Sequence, residues 1–109
     1  MADSLLIDAA ELSRRLAAGE PVTILDVRGE KARRESGTQI AGSIRVPLSR
    51  WHIDESWPRD RLTVLYCSCP GDVSSLRAAE RLRAAGFTQA VALRDGFEGW
   101  VRSGGTVTR

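Results

Sequence analysis

The stretch Leu62-Thr63-Val64-Leu65-Tyr66-Cys67-Ser68-Cys69-Pro70-Gly71-Asp72-Val73-Ser74-Ser75 decides the fold. Its first five residues form an apolar run with two β-branched members, the pattern of a buried strand. Cys67–Val73 is short, polar and broken by Pro70 and Gly71, so it reads as a loop. From Ser75 to Ala85 the spacing of Leu76, Ala79, Leu82 and Arg83 predicts a helix with one apolar face, closed by Gly86. Strand, loop and helix in that order are the unit of an α/β domain.

The same alternation extends both ways. Residues 8–18 predict an amphipathic helix, with Asp8 as N-cap, Glu11 three places on and Gly19 at the end. Pro21 leads into Val22-Thr23-Ile24-Leu25-Asp26-Val27, a second buried strand. A polar helical turn around Lys31–Ser36 follows, then a short strand at Ser43–Val46. An irregular segment carries Trp51, His52, Trp57 and Pro58. After the central helix, Gln89–Leu93 predicts a strand, Asp95-Gly96 a turn, and Phe97–Arg102 a short helix broken by Gly104-Gly105. No repeat, low-complexity tract or linker interrupts the pattern. Strands apolar on both faces and separated by helices imply a small central parallel sheet, about five strands, with helices on both faces. Connections should be right-handed.

Length and charge narrow the function. A chain of 109 residues, 42% hydrophobic and 28% charged, makes one domain spanning the chain. No apolar run approaches the roughly 20 residues needed to cross a bilayer, and no charged-then-apolar leader opens the chain. Direct membrane insertion is therefore not expected. The 16 basic and 14 acidic residues give a net charge of only +2, and they interleave along the chain. That pattern suits solvated helix faces, not a nucleic-acid surface, which needs a clustered basic stripe. Two cysteines and one histidine, His52, cannot make a disulfide framework or supply four ligands to a structural zinc. The thiols suit a reducing, cytoplasmic compartment.

In parallel sheets, working groups gather where strands run out into helix N-termini. That rule selects the loop after Tyr66. A thiol there, beside unpaired backbone amides and a helix dipole, can be stabilised as the thiolate, the nucleophilic form. Equally, Cys67 could be a small buried hydrophobe that finishes the strand. Ser74 and Ser75 are expected to cap the helix first and to contact substrate second. Asp26 and Arg28 are placed as an ion pair that braces the neighbouring loop, ahead of a substrate contact, and Trp100 in the core. His52, with no base partner, is placed on the surface. Trp51 and Trp57 lie in a segment with Pro58 that could overhang the loop, with a lid or partner-docking role as the minority reading.

At this loop the chain resembles the rhodanese-like domain, the sulfurtransferase module. Ile24-Leu25-Asp26-Val27-Arg28 with Gln39-Ile40-Ala41-Gly42-Ser43-Ile44-Arg45-Val46-Pro47 is similar to that family's first signature. Val64-Leu65-Tyr66-Cys67 resembles the strand that delivers the active cysteine, and Val91-Ala92-Leu93-Arg94-Asp95-Gly96-Phe97-Glu98-Gly99-Trp100 the closing signature. The resemblance spans roughly residues 5 to 107. It implies a double displacement. A cysteine thiolate takes the sulfane sulfur of a donor such as thiosulfate or a polysulfide, and the persulfide hands it to an acceptor such as cyanide or a protein thiol. No metal or cofactor takes part. It implies catalytic roles for Cys67 or Cys69, substrate contacts from Ser68, Gly71, Asp72, Val73, Ser74 and Ser75, and structural support from Asp26, Arg28 and Arg77. The chain is expected to work as a monomer on a small sulfur donor.

The loop departs from the family pattern of cysteine, two residues, glycine, one residue, arginine, then serine or alanine. Counted from the strand, Cys67 is the nucleophile and the stretch before Arg77 is two residues longer than usual. Counted back from the helix, Cys69 takes the active position and Ser74-Ser75 replaces the arginine–serine pair. Cys67 is preferred, because a strand end fixes the direction of a side chain. Neither register places an arginine in the loop. Asp72 lies there instead, where a carboxylate would oppose ionisation of the thiol and repel an anionic donor, and Pro70 removes one backbone donor. Weak thiosulfate activity is the expectation, with a less charged donor or a docked acceptor protein favoured. The paired thiols also allow one cysteine to resolve a persulfide on the other. Phosphoryl transfer on this fold needs an arginine clamp after the loop; counted from Cys67 that position is Val73, and from Cys69 Ser75. The competing reading is a non-catalytic rhodanese-like module that serves as a regulatory or docking domain.

Overall fold

The computed structural model describes residues 5–68 and 70–109. Their central sheet has five strands: β1 (Leu6–Ile7), β2 (Val22–Asp26), β4 (Ile44–Arg45), β5 (Leu62–Tyr66) and β6 (Ala90–Leu93). All pairings are parallel, in the order β1-β6-β5-β2-β4. The two long apolar runs sit side by side at the centre, with Val22 opposite Leu62 and Asp26 opposite Tyr66. A second, antiparallel pair joins β3 (Gln39–Ile40) to β7 (Val107–Thr108).

Alternation along the strands sends side chains into two cores. On one face Ile24, Leu62, Val64, Tyr66, Val91 and Leu93 pack with Leu12, Phe97 and Trp100. Leu12 lies on α1 (Ala9–Ala17), and the two aromatics lie on α4 (Gly96–Arg102). On the other face Leu25, Leu65 and Cys67 pack with Ala78, Ala79 and Leu82 of α3 (Val73–Ala84). The short α2 (Glu30–Ser36) buries no residue and ends at Gly37, whose φ of 68° supplies the left-handed cap. The sheet is thus covered on both faces, and Trp100 is in the core, as the strand–helix alternation predicts.

Three expectations change. β1, β3 and β7 have two residues each and escape any periodicity reading. Asp8 occupies the N-cap position of α1, but its carboxylate accepts from Arg94 Nε at 2.8 Å instead of capping. Glu11 pairs with Arg14 and Arg15 on the same helix. α3 starts at Val73, two residues before the expected first residue, and turns Ser75, Ala78, Ala79 and Leu82 inward. Leu76 is only half-buried, and Arg83 reaches back to donate to the Ala90 carbonyl at 2.8 Å.

Candidate active site

Cys67 follows β5 directly. Because Leu65 faces α3, the residue two further on must face it too, and Cys67 is 2% exposed in that layer. Its Sγ donates to Ser75 Oγ at 3.5 Å, and Ser75 Oγ donates in turn to the Asp72 carbonyl at 3.1 Å. The Cys67 carbonyl accepts the Phe97 N–H at 3.0 Å. Cys67 lines a cleft of about 210 Å³ together with Val27, Arg28, Gly29, Ala32, Ser68 and Ser74.

Of the residues proposed from sequence, the structure gathers Cys67, Ser68 and Ser74 in this cleft, with Ser75 fully buried behind the thiol. Ser74 and Ser75 do not cap α3. They lie in its first turn, and Asp72 takes the N-cap position with φ 58°. Gly71 and Val73 are exposed and do not line the cleft. Asp72 is only 8% exposed, and its carboxylate turns to the β6–α4 turn, where Oδ2 accepts the Asp95 N–H at 3.0 Å. Its assignment as a substrate contact gives way to a contact within the fold, since a neighbouring backbone donor satisfies the carboxylate. Cys69 lies outside the described residues, and with it the paired-thiol reaction. Arg77 is exposed on α3 and takes no part in the network that holds Asp26. His52 is exposed, as expected, while Trp57 is a core residue and Trp51 only borders that core.

Val27, Gly29 and Ala32 were not anticipated as cleft residues. The signal was available, because they follow the carboxyl end of β2, the immediate parallel neighbour of β5. The strand-end rule, applied to β2 as well as β5, selects them.

Among the described residues Arg28 is the only charged one that lines the cleft, and its guanidinium is already engaged. Nε and Nη2 grip the Asp26 carboxylate at 3.0 and 2.7 Å; Nη2 also reaches the Thr38 carbonyl and Nη1 reaches Ser36 Oγ. The cation lies 4.1 Å from the Phe97 ring centroid and 5.3 Å from that of Tyr66. Burial alone would lower its pKa, but the bonds and charge of Asp26 outweigh burial and raise it. Tyr66 donates to Asp26 Oδ2 at 2.9 Å and accepts the Ile40 N–H. Burial first, and the Asp26 charge besides, push its hydroxyl up to about 12. Asp26 and Arg28 are therefore the structural pair the sequence suggests, and they tie the end of β2 to β3 and α4. Among the described residues no cluster of His, Cys, Asp and Glu could hold a metal, and no helix is long and apolar enough to cross a membrane.

Among the described residues, the chemistry available is that of the Cys67 thiol, with a hydroxyl at its back and two more at the cleft, and no uncommitted cation on the cleft wall. The rhodanese-like domain model matches residues 8–103. A sulfurtransferase of Allochromatium vinosum is 33% identical over 99 residues, which cover 90% of this chain and 89% of that protein. The solution structure of a rhodanese-like domain from Anabaena sp. superposes with a TM-score of 0.76 at 32% identity, covering 99% of this chain and 80% of that one. A rhodanese-related protein of Thermoplasma volcanium gives 0.71 at 28% identity, with 98% of each chain covered. The position of the thiol, the order of the strands and these likenesses agree: the chain belongs to the rhodanese-like domain family.

Proposed function

We propose that this chain is a sulfurtransferase that carries sulfane sulfur on Cys67, and that it draws the sulfur from a donor of low charge, such as the persulfide of a small thiol. The Cys67 thiolate attacks the outer sulfur of R–S–SH. The donor S–S bond breaks, RS⁻ leaves with the electron pair, and Cys67–S–SH forms. An acceptor thiolate then attacks that outer sulfur and regenerates Cys67–S⁻, so no net oxidation occurs. The observation that carries this reading is the cleft itself: a thiol with Ser68 and Ser74 beside it, and one cation already neutralised by Asp26. A dianion such as thiosulfate would lose its water there without gaining a counter-charge. The sulfurtransferase of Allochromatium vinosum supports the reaction class. A reducing compartment such as the cytoplasm would keep the thiol in its reactive state.

One observation favours a second reading, a docking module without catalysis: Cys67 is 2% exposed. Mass spectrometry after incubation with a small-thiol persulfide, polysulfide or thiosulfate separates the two. A gain of one sulfur, lost in Cys67→Ser and larger with the persulfide than with thiosulfate, is the expected result. No adduct from any donor overturns the enzymatic reading.

A further inference from the structure

Counted from Cys67, the position of the family's loop arginine falls on Asp72. The acid does not face the cleft that the arginine would serve. It faces the β6–α4 turn, where its Oδ2 accepts the Asp95 N–H at 3.0 Å. Two further contacts cross the same seam. Phe97 N–H donates to the Cys67 carbonyl at 3.0 Å. A Cβ on Gly96 would stand 2.2 Å from that carbonyl oxygen and 3.5 Å from Asp72 Oδ1, so the turn and the loop meet backbone to backbone. The backbone of Asp72 is tied to the reacting group as well. Its carbonyl receives the Ser75 hydroxyl, which leaves a Ser75 lone pair aimed at Cys67 Sγ.

We infer that Asp72 is a positioning residue for Cys67. Its side chain fastens the lengthened loop to the β6–α4 turn, and its carbonyl orients the Ser75 hydroxyl against the thiol. The loop is thereby held by an acceptor that grips a neighbouring backbone amide, in place of a cation that organises the loop around an anion. The sign of the side chain matters less than its ability to accept, because its partner is a neutral N–H. The inference rests on Cys67 as the reacting thiol of the proposed sulfur transfer, but the fastening itself can be tested apart from that reaction.

The experiment compares Asp72→Ala and Asp72→Asn in the full chain by amide hydrogen exchange and by steady-state sulfur transfer from a small-thiol persulfide. Asparagine keeps an acceptor oxygen and alanine does not. Alanine is expected to speed exchange at the Asp95 amide by about tenfold or more, the scale of a lost hydrogen bond to a charged acceptor. It should lower kcat by about tenfold at nearly unchanged KM, because misplacement of a reacting group costs rate more than binding. Asparagine should restore both. Alanine exchange rates equal to those of the unaltered chain overturn the inference, as does an asparagine variant as impaired as alanine. If alanine prevents folding, exchange in the unaltered chain decides: an Asp95 amide that exchanges as fast as an open turn overturns the fastening. If the unaltered chain transfers no sulfur, the proposed function fails, and the exchange data still judge Asp72 alone.

Discussion

Asp26→Asn is the sharpest test of how the fold holds its site. The Asp26 carboxylate is fully buried and receives five donors. Oδ1 accepts from the Arg28 backbone N–H, Arg28 Nε and Arg45 Nη1, while Oδ2 accepts from Arg28 Nη2 and the Tyr66 hydroxyl. Asparagine can keep its oxygen toward the first group. Its amide nitrogen then faces Arg28 Nη2 and Tyr66, where it can accept from neither. Arg28, itself 2% exposed, becomes a cation without its counter-charge, although the Thr38 carbonyl and Ser36 Oγ remain to it. Removal of one partner of a buried pair costs about 3–5 kcal/mol. The retained oxygen places this change near the lower end, about 3 kcal/mol, a large share of the roughly 5–15 kcal/mol that stabilises an ordinary domain. For a chain of this size that corresponds to a fall in Tm of about 12–18 °C. Urea and thermal unfolding followed by circular dichroism would measure it, with an unchanged urea slope to show that the native state keeps its compactness. A loss below about 1 kcal/mol would refute the reasoning, because it would mean that Arg28 finds equal compensation elsewhere.

Three further outcomes follow from the same contacts. The Tyr66 hydroxyl, raised to about 12 in the folded chain against 10.0 for the ordinary group, keeps its proton in the native state after the unfolded state has lost it. The stability it contributes is whole below pH 10 and is lost as pH rises to 12, by about 2–3 kcal/mol. Unfolding of Tyr66→Phe across that window should show a shallower fall, and equal slopes would contradict the assignment. Gly96→Ala must move the Cys67 carbonyl and hold alanine at φ 54°. The left-handed backbone alone costs about 1–2 kcal/mol and the disturbed Phe97 bond about 1 more, so urea unfolding should show a loss of about 2–3 kcal/mol in total, and a loss under 1 would refute the close approach. Ser75→Ala removes the hydroxyl behind the thiol and one donor to the Asp72 carbonyl, at a cost of about 1 kcal/mol. Sulfur loading of Cys67, followed by mass spectrometry, should slow several-fold, and unaltered loading would remove Ser75 from the site.

Much of the architecture could be read from residues 22–27, 62–66 and 89–93, because a buried parallel strand carries an apolar run of its own length. The run also fixed the direction of Cys67, since Leu65 and Cys67 lie two residues apart on one face. β1, β3 and β7, like β4, are two residues long and carry no period; the strand expected at 43–46 meets β4, whereas the other three exist as strands only through partners at Ala92, Thr108 and Ile40. On α3 the expected face is right at Ala79 and Leu82, which are buried, and differs from the structure at Leu76 and Arg83. The small Ser75 and Ala78 also pack against the sheet, and a hydrophobicity pattern gives more weight to Leu76 than to them.

Charge was the quantity the sequence alone described least well. The chain dictates that an acid and no arginine stands in the loop after Cys67, that Asp26 and Arg28 flank the end of a strand, and that a thiol closes the central strand. Only the tertiary structure determines where those charges act. Asp72 is turned onto the Asp95 amide and Arg28 is consumed by Asp26, so the cleft keeps its thiol and hydroxyls without a field of either sign from these two groups. The physical reason is range. An apolar pattern is set by neighbours two to four residues away, whereas the partner that satisfies a buried charge can come from any strand or turn that the fold brings within about 3 Å.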